Sequence, residues 1–314
     1  MYTLETKRID NKPYLYASKR IKVGKKYKKI SIYIGKQVPK TKQQKESVLS
    51  GLYRRELTTV SEIVKGLPLP DTYISAIEYE RVEKARITHQ YQYARLTEKA
   101  QDRWWRTFAI RFIFESNKIE GSRLSEAEVS AIAFGKRTKK KSPREEVCEV
   151  ENALEAMTLI RSGTFVLNER TVLKLHAIIT RDLNIEQGFK QREIVVNNKR
   201  TTTPGNVRKE LAELIRWWKK DKNTAPFYKA ILFHQRFELI HPFEDGNGRA
   251  GRFLFLWMLY EAGYDVILFK NANRHAYFSA LSKADDGQDR IWIRYAMKVY
   301  TTTVSRLWND TTSL

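Results

Sequence analysis

Apolar and polar residues alternate over residues 10–36, which predicts two β-strands joined by a tight turn at residues 24–26. The apolar positions that define the strands are Tyr14, Tyr16, Ile21, Val23, Ile30, Ile32 and Ile34. A two-stranded hairpin is only marginally stable by itself. We therefore expect this hairpin to pack on a helical body.

Beyond residue 40 the apolar residues recur mainly at helical spacing. Residues 41–66 predict one helix, which the prolines within residues 68–70 end. Residues 75–115 predict one or two long helices. A Ser-Pro pair at residues 142–143 begins another helical stretch, and the pattern from there to the C-terminus predicts a bundle of helices broken by glycine and proline.

One segment interrupts the helical pattern of the bundle. A β-branched run at residues 194–196, followed by two asparagines, predicts a short hairpin. The chain is therefore predicted to be mostly α, a helical bundle with one short β-hairpin and a small basic N-terminal β-hairpin module. We predict that the module occupies residues 1–70, a helical region residues 71–141, and the helical core residues 142–314.

Cysteine content and hydropathy limit the class of protein. Cys148 is the one cysteine among 314 residues, so the chain can form no intrachain disulfide and suits a reducing compartment. The N-terminus lacks the apolar stretch of a secretory signal, and no apolar run approaches about 18 residues. We therefore expect a cytoplasmic protein that does not span a membrane.

The positive charge of the chain is concentrated near its N-terminus. The formal net charge is +22, and residues 1–60 contain sixteen Lys/Arg against four Asp/Glu. Such a surface attracts anions, so nucleic acid or an acidic partner is expected here, with a merely solubilising surface as the alternative. Tyr14, Tyr16 and Tyr33 lie among the lysines and could stack bases, but we favour the interpretation that they form the packed face of the hairpin.

Residues 241–252 form a set suited to phosphate chemistry, His-Pro-Phe-Glu-Asp-Gly-Asn-Gly-Arg-Ala-Gly-Arg. The apolar run that follows predicts a buried helix, so the Gly-Asn-Gly of residues 246–248 opens a helix. The free N–H groups and the positive dipole end of a helix N-terminus bind anions. Arg249 and Arg252 lie one turn apart on the same face and can fork onto the oxygens of a polyphosphate.

Asp245 and His241 add further chemistry to this anion site. Asp245 can hold Mg²⁺, which prefers a carboxylate, water and phosphate oxygens, and His241 can accept the proton of an attacking hydroxyl. The complete segment resembles the active-site motif of the Fic family, H-x-F-x-[D/E]-G-N-G-R-x-x-R, and matches every specified position. The alternative is a generic anion site with an incidental histidine.

The resemblance implies an enzyme that transfers AMP from ATP to a Ser, Thr or Tyr hydroxyl of a target protein and of itself. In this interpretation His241 is the general base, and Asp245 holds Mg²⁺ against the α- and β-phosphates. The backbone of Gly246 and Gly248, with Asn247, receives the phosphates.

The same resemblance assigns the remaining contacts to the nucleotide. Arg249 and Arg252 neutralise the polyphosphate, with Arg252 nearest the γ-phosphate. Tyr277 lies in a stretch similar to the family region that helps to hold adenosine, so it is expected beside the adenine. A structural place in the core is the alternative for Tyr277.

A second segment, residues 116–121, resembles the inhibitory motif of the family, [S/T]-x-x-x-E-[G/N]. Ser116 and Glu120 lie four residues apart and share a helix face. The resemblance implies the subclass whose inhibitory helix precedes the core, in which Glu120 pairs with Arg252 and keeps the resting enzyme weak. Removal of AMP by the same carboxylate stays open, and an ordinary exposed glutamate is the alternative.

The short hairpin resembles the family's flap, which positions a target peptide by strand addition. Its candidate residues are Gly188, Phe189, Ile194, Val195 and Val196. The alternative function is a nucleic-acid-associated or toxin-like regulator of the same family that uses another nucleotide donor. The sequence is also compatible with a homodimer, and it does not identify the target protein.

Overall fold

The computed structural model describes residues 2–24, 26–67, 74–136, 143–196 and 198–311. The chain divides into two compact units, one of residues 1–101 with 304–314 and the other of residues 102–303. Parts of the sequence prediction lie outside the described residues, namely Lys25 of the first turn, the prolines at 68 and 70, the start of a helix at Ser142, and Asn197 of the short hairpin.

The first unit begins with a three-stranded antiparallel sheet in the order β1-β2-β3. Its strands are β1 (Thr3–Ile9), β2 (Lys12–Val23) and β3 (Lys26–Gly35). The predicted N-terminal hairpin is confirmed as β2 and β3. The prediction missed β1, because nearly all of its side chains are exposed and its sequence therefore shows no apolar alternation.

Two helices complete most of this unit, α1 (Lys42–Lys65) and α2 (Ala76–Ala94). One face of the sheet packs on α1, with Ala17, Val23 and Ile30 almost fully buried. Lys19 lies on the same face and forms an ion pair of 2.6 Å with the buried Glu56 of α1. The expected packing of the hairpin on a helix is therefore present.

The preferred interpretation of the three tyrosines is wrong. Side chains alternate along a strand, so Tyr14 and Tyr16 face away from Ala17 and Val23. Tyr33 pairs with Tyr16 across the sheet and is 53% exposed. These tyrosines lie on the face of the sheet opposite α1.

The helices that follow α2 in the described chain are mostly long and amphipathic. They are α3 (Glu98–Ile119), α4 (Glu126–Ala133), α5 (Arg144–Arg161), α6 (Glu169–Ile179), α7 (Pro204–Lys220), α8 (Pro226–Ile240), α9 (Asn247–Glu261), α10 (Arg274–Asp285) and α11 (Asp289–Thr311). A short 3-10 helix, Asn271–Asn273, precedes α10, and a two-stranded hairpin, β4 (Val195–Val196) and β5 (Lys199–Arg200), precedes α7. Among these described helices, none is long and apolar enough to cross a lipid bilayer.

Helix α9 is the central element of the second unit. Its residues from Arg249 to Leu259 are all buried, and it packs on α5, α6 and α8. A helix that is apolar on all sides needs neighbours on all sides, which the surrounding bundle supplies. The packing fixes the position and direction of the N-terminus of α9.

The two units divide at different places from the predicted domain boundaries. The sequence suggested boundaries near residues 70 and 141, whereas the compact units of the structure divide after residue 101 and again after residue 303. Helix α2 groups with the N-terminal sheet because it packs along α1. Trp308, near the end of α11, donates a hydrogen bond of 3.1 Å to His89 of α2 and so belongs to the same unit.

Candidate active site

The motif predicted to carry the chemistry forms the connection between α8 and α9. His241 ends α8 in a left-handed conformation, with φ of 51°. Gly246 precedes the first turn of α9, also left-handed, with φ of 80°. A Cβ at Gly246 would approach Thr180 Cγ2 to 2.9 Å, so both backbone conformation and space require glycine there.

Side-chain hydrogen bonds fix this connection, called the catalytic loop (residues 241–246). The Asn247 side chain accepts from Phe243 N at 2.9 Å and donates to Phe243 O at 2.8 Å. His176 of α6 donates through Nε2 to Asp245 O at 2.9 Å and stacks on the Phe243 ring at 3.7 Å. Sequence reasoning missed His176, because a single histidine on an apolar helix face gives no distinguishing signal.

His241 is arranged to act as a base. Its Nδ1 donates to the carbonyl of Glu238 at 3.3 Å, which leaves Nε2 as the nitrogen able to accept a proton. Burial, and after it the positive charge of Lys190, lowers the pKa of His241 to about 4. The imidazole is therefore neutral near pH 7, as general-base catalysis requires.

The N-terminus of α9 forms an anion cradle, defined by Gly246, Asn247, Gly248, Arg249 and Arg252. The first N–H groups of the helix have no intrahelical partners and carry the positive end of its dipole. A Cβ at Gly248 would clash with the carboxylate of Glu120 and would lie 3.0 Å from Arg252 Nη1. Glycine at this position therefore lets groups approach the cradle closely.

Arg252 joins the cradle to the predicted inhibitory segment. It is 2% exposed, and its Nη2 donates to Glu120 Oε1 at 2.7 Å. Its Nε donates to Ser116 Oγ and its Nη2 to Ser116 O, both at 2.9 Å. The two segments that the sequence places 136 residues apart therefore meet at one guanidinium.

Nη1 is the remaining nitrogen of the Arg252 guanidinium. Nη1 is buried and makes no hydrogen bond within the described part of the chain. Because a buried donor without an acceptor is costly, this N–H group is suited to receive an oxygen of an incoming anion.

The end of α3 is held in place around Glu120. Asn271 N donates to Glu115 Oε2 at 2.7 Å, and Arg274 Nε donates to the carbonyl of Ile119 at 2.6 Å. Gly121 follows with φ of 108°, a conformation that glycine adopts easily. The carboxylate of Glu120 is thus presented at a fixed helix end.

Arg249 is also paired in this state. Its Nη1 donates to Glu149 Oε1 of α5 at 2.8 Å, and both side chains are largely buried. Burial raises the pKa of Glu149, and the nearby Arg249 opposes that rise. Glu149 was not predicted, because a glutamate within an amphipathic helix gives no sign of its distant partner.

The predicted flap forms as the hairpin of β4 and β5. Gly188 has φ of 93°, and the Phe189 ring stacks near Phe243 of the catalytic loop at 6.3 Å. Ile194 O accepts from Thr201 N at 3.2 Å, while Val195 on β4 is 59% exposed. The hairpin is therefore present, and its role in positioning a target stays a prediction.

Lys190 ties the flap to the catalytic loop, a role that the sequence did not reveal. Its side chain is buried and donates to Thr201 Oγ1 at 2.6 Å and to Ile240 O at 3.3 Å. Its backbone N donates to Pro242 O at 3.0 Å. Burial lowers the pKa of Lys190 to about 8.

The structure places Tyr277 behind the site. It is 1% exposed, and its hydroxyl shares a hydrogen bond of 2.8 Å with His234 Nε2. The neighbouring Phe278 instead lines a cavity between the flap and α10, together with Val196, Glu238 and Asp285. The structure therefore does not bring the Tyr277 ring to the cavity surface, and its contact with adenosine stays a prediction.

Asp245 suits a metal carried by a nucleotide better than a protein cage. Its side chain is exposed beside the anion cradle. The described residues contain no cluster of three or more side chains that could hold a metal ion. Mg²⁺ needs only one or two protein carboxylates when phosphate oxygens and water supply the other ligands, so the donor set fits.

Residues 166–259 match the sequence profile of the Fic/DOC family. This segment includes α6, the flap and the catalytic loop, as well as most of α9. This segment therefore forms a Fic domain, as the motif predicted.

Two similar proteins show how far the likeness extends. A probable protein adenylyltransferase of Aquifex aeolicus (strain VF5) is 32% identical over 124 residues, which cover 39% of this chain and 38% of that protein. A protein adenylyltransferase Fic of Nematostella vectensis is 26% identical over 214 residues, which cover 65% of this chain and 49% of that protein. The chain thus spans less than half the length of these two relatives.

Solved structures share the fold at low identity. Residues 134–508 of Fic-1 from C. elegans align with a TM-score of 0.67 at 19% identity, covering 86% of each chain. A Fic domain containing signaling protein from Bacteroides thetaiotaomicron aligns with a TM-score of 0.65 at 19% identity, covering 72% of this chain and 95% of that one. The predicted Fic-type helical fold is confirmed.

Glu238 is a largely buried acid at the back of the site, with 16% of its side chain exposed. Its Oε1 has no hydrogen-bond partner within the described residues and lies 3.9 Å from His234 Nε2. Burial raises the pKa of Glu238 to about 8, although the charge of Arg252 opposes this rise. The folded protein therefore favours the protonated form near neutral pH.

This shift predicts a pH-dependent stability. The pKa of Glu238 in the folded protein lies above its ordinary value of 4.5. The stability contributed by its protonated carboxyl is therefore fully present below about pH 4.5 and is lost as the pH rises through about 8. Glu238→Gln should therefore raise Tm relative to wild type increasingly between pH 5 and pH 8.5. Thermal unfolding across that range checks this, with the exposed Glu261→Gln as control. A difference in Tm that does not change with pH would contradict it.

Proposed function

We propose that this protein transfers AMP from ATP to a Ser, Thr or Tyr hydroxyl of a target protein and of itself. The observation that carries the proposal is the continuity of the site: a neutral histidine at the end of α8 leads directly into a helix N-terminus backed by two buried arginines. The relatives named as protein adenylyltransferases support AMP as the transferred group. They do not favour the alternative of a regulator with another nucleotide donor.

The proposed step is a displacement at the α-phosphorus of ATP. His241 Nε2 accepts the proton of the target hydroxyl, and the oxygen forms a bond to the α-phosphorus. The bond from that phosphorus to the bridging oxygen of the β-phosphate breaks, and pyrophosphate leaves. His241 then releases its proton to solvent, so atoms and charge balance.

Positioning and charge neutralisation supply most of the catalysis in this proposal. The N-terminus of α9 binds the phosphates, and Arg249 and Arg252 offset their charge. Asp245 is the residue that would hold Mg²⁺. A bound Mg²⁺ would neutralise charge on the leaving pyrophosphate.

Glu120 keeps the enzyme weakly active in this proposal. The carboxylate occupies the Arg252 Nη2 donor at 2.7 Å, so a γ-phosphate cannot take the same position. ATP then binds with its α-phosphate turned away from the hydroxyl. Loss of the Glu120 contact frees Arg252 to align the nucleotide.

The flap would position the target. The hairpin of β4 and β5 is short, and Val195 exposes an apolar side chain beside it. An extended peptide that adds along this hairpin would be held by backbone hydrogen bonds with little demand on its sequence. Lys190 would transmit the position of the hairpin to the loop that carries His241.

Glu120→Gly should raise self-modification by labelled ATP at least about tenfold, because it removes the competitor for Arg252, a change of about 1.4 kcal/mol in the barrier. Label from the α-position of ATP, resolved on a gel, measures the transfer. Lys118→Gly is the matched control, since it adds a glycine to the same helix end without altering the carboxylate. A Glu120→Gly protein no more active than wild type would contradict autoinhibition.

His241→Ala should abolish transfer in the Glu120→Gly background while ATP binding stays within a few fold. The variant removes the base and leaves the anion cradle intact. Transfer by the double variant is compared with that of Glu120→Gly/His275→Ala, in which an exposed histidine is lost instead. Comparable transfer by the two double variants would show that His241 is not the base.

A further inference from the structure

The sheet of the first unit has a second face that α1 does not cover, called the open face. The strand register puts Tyr14, Tyr16 and Tyr33 on it, together with Tyr27, which lies opposite Lys22. Tyr27 and Tyr33 are 61% and 53% exposed. Large aromatic side chains this exposed, on a regular sheet, form a surface available for stacking.

The same face carries a strong positive charge. Lys7, Arg20, Lys22 and Lys29 point to the open face by the strand pairing, and each is exposed or partly exposed. Glu5 is the one carboxylate on this face of the described strands, and Lys29 neutralises it at 2.6 Å. The face therefore keeps a net positive charge.

Cations and aromatic rings are interleaved on the open face. The Lys7 ammonium lies 4.4 Å from the centre of the Tyr16 ring, and the Lys22 ammonium lies 5.4 Å from the Tyr27 ring. Tyr33 contacts Tyr14 and Tyr16 at ring separations of 5.8 and 5.6 Å, with planes inclined by 60° and 56°. Tyr33 is nevertheless 53% exposed, so part of its ring is accessible to another planar group.

We propose that the open face binds single-stranded nucleic acid. Bases stack on Tyr33 and Tyr27, and backbone phosphates lie against Arg20 and Lys22. Sequence-tolerant binding of single strands combines the same two elements, a basic surface and aromatic side chains on which bases stack. Tyr27 and Tyr33 lie six residues apart on one strand, about 20 Å, so the face spans several nucleotides.

The arrangement favours single strands over other anions. In a duplex the bases are already stacked within the helix, and only the charge of the backbone would be recognised. An acidic protein would likewise use the cations but would leave the exposed rings without a planar partner. The proposal does not depend on AMP transfer, because it concerns the first unit and a binding measurement.

The experiment uses the full chain and a fluorescein-labelled 12-nucleotide oligothymidylate, a length within the about 4–16 nucleotides that single-strand-binding OB-fold domains cover. Fluorescence anisotropy gives Kd at several salt concentrations. Tyr33→Ala should weaken binding about fivefold to a hundredfold, whereas Tyr33→Phe, which keeps the ring, should bind as wild type does. Arg20→Gln/Lys22→Gln should weaken binding and flatten its salt dependence.

Lys42→Gln/Lys45→Gln is the matched control, because it removes the same charge from exposed positions of α1. This control should change Kd by less than Arg20→Gln/Lys22→Gln does. The proposal is overturned if wild type does not bind the oligonucleotide, or if Tyr33→Ala binds as tightly as wild type. Tighter binding of a 12-base-pair duplex, or equal competition by a polyglutamate peptide, would likewise assign the surface to another partner.

Discussion

The site depends on a single buried guanidinium that must always have an anionic partner. Arg252 is 2% exposed, and its neutralisation comes from Glu120 at 2.7 Å, with Ser116 fixing its orientation. Removing the partner of a buried charge strongly destabilises the folded protein, because the remaining charge is left uncompensated. In the proposed mechanism a nucleotide phosphate replaces the carboxylate at this position, so the same requirement that holds Glu120 against Arg252 would also make the site responsive to a nucleotide.

The surrounding structure keeps this exchange local. Helix α9 is buried from Arg249 to Leu259. Asn247 and His176 fix the catalytic loop through the backbones of Phe243 and Asp245. His241 is therefore held at a fixed place beside the cradle while Glu120 is the group exposed to competition, with 32% of its side chain accessible. In this account regulation acts on the alignment of ATP and leaves the base unchanged.

The sequence was most informative where chemistry restricts the residue type. The motif from His241 to Arg252 predicted the helix start and the loop, and the spacing of Ser116 and Glu120 predicted their shared face. The sequence could not show Glu149 or His176, because their partners are distant in the chain and each lies within an ordinary amphipathic helix. It also missed β1, whose exposed side chains give no alternating pattern.

The central claim is that Glu120 and a nucleotide phosphate compete for Arg252. The direct measurement is the rise in Tm that Mg-ATP produces in wild type, Glu120→Gly and Glu120→Gly/Arg252→Ala. Ligand binding to the folded state raises Tm with its affinity, so the account predicts a larger rise for Glu120→Gly than for wild type, and a small rise for the double variant. Equal rises for wild type and Glu120→Gly would contradict the claim.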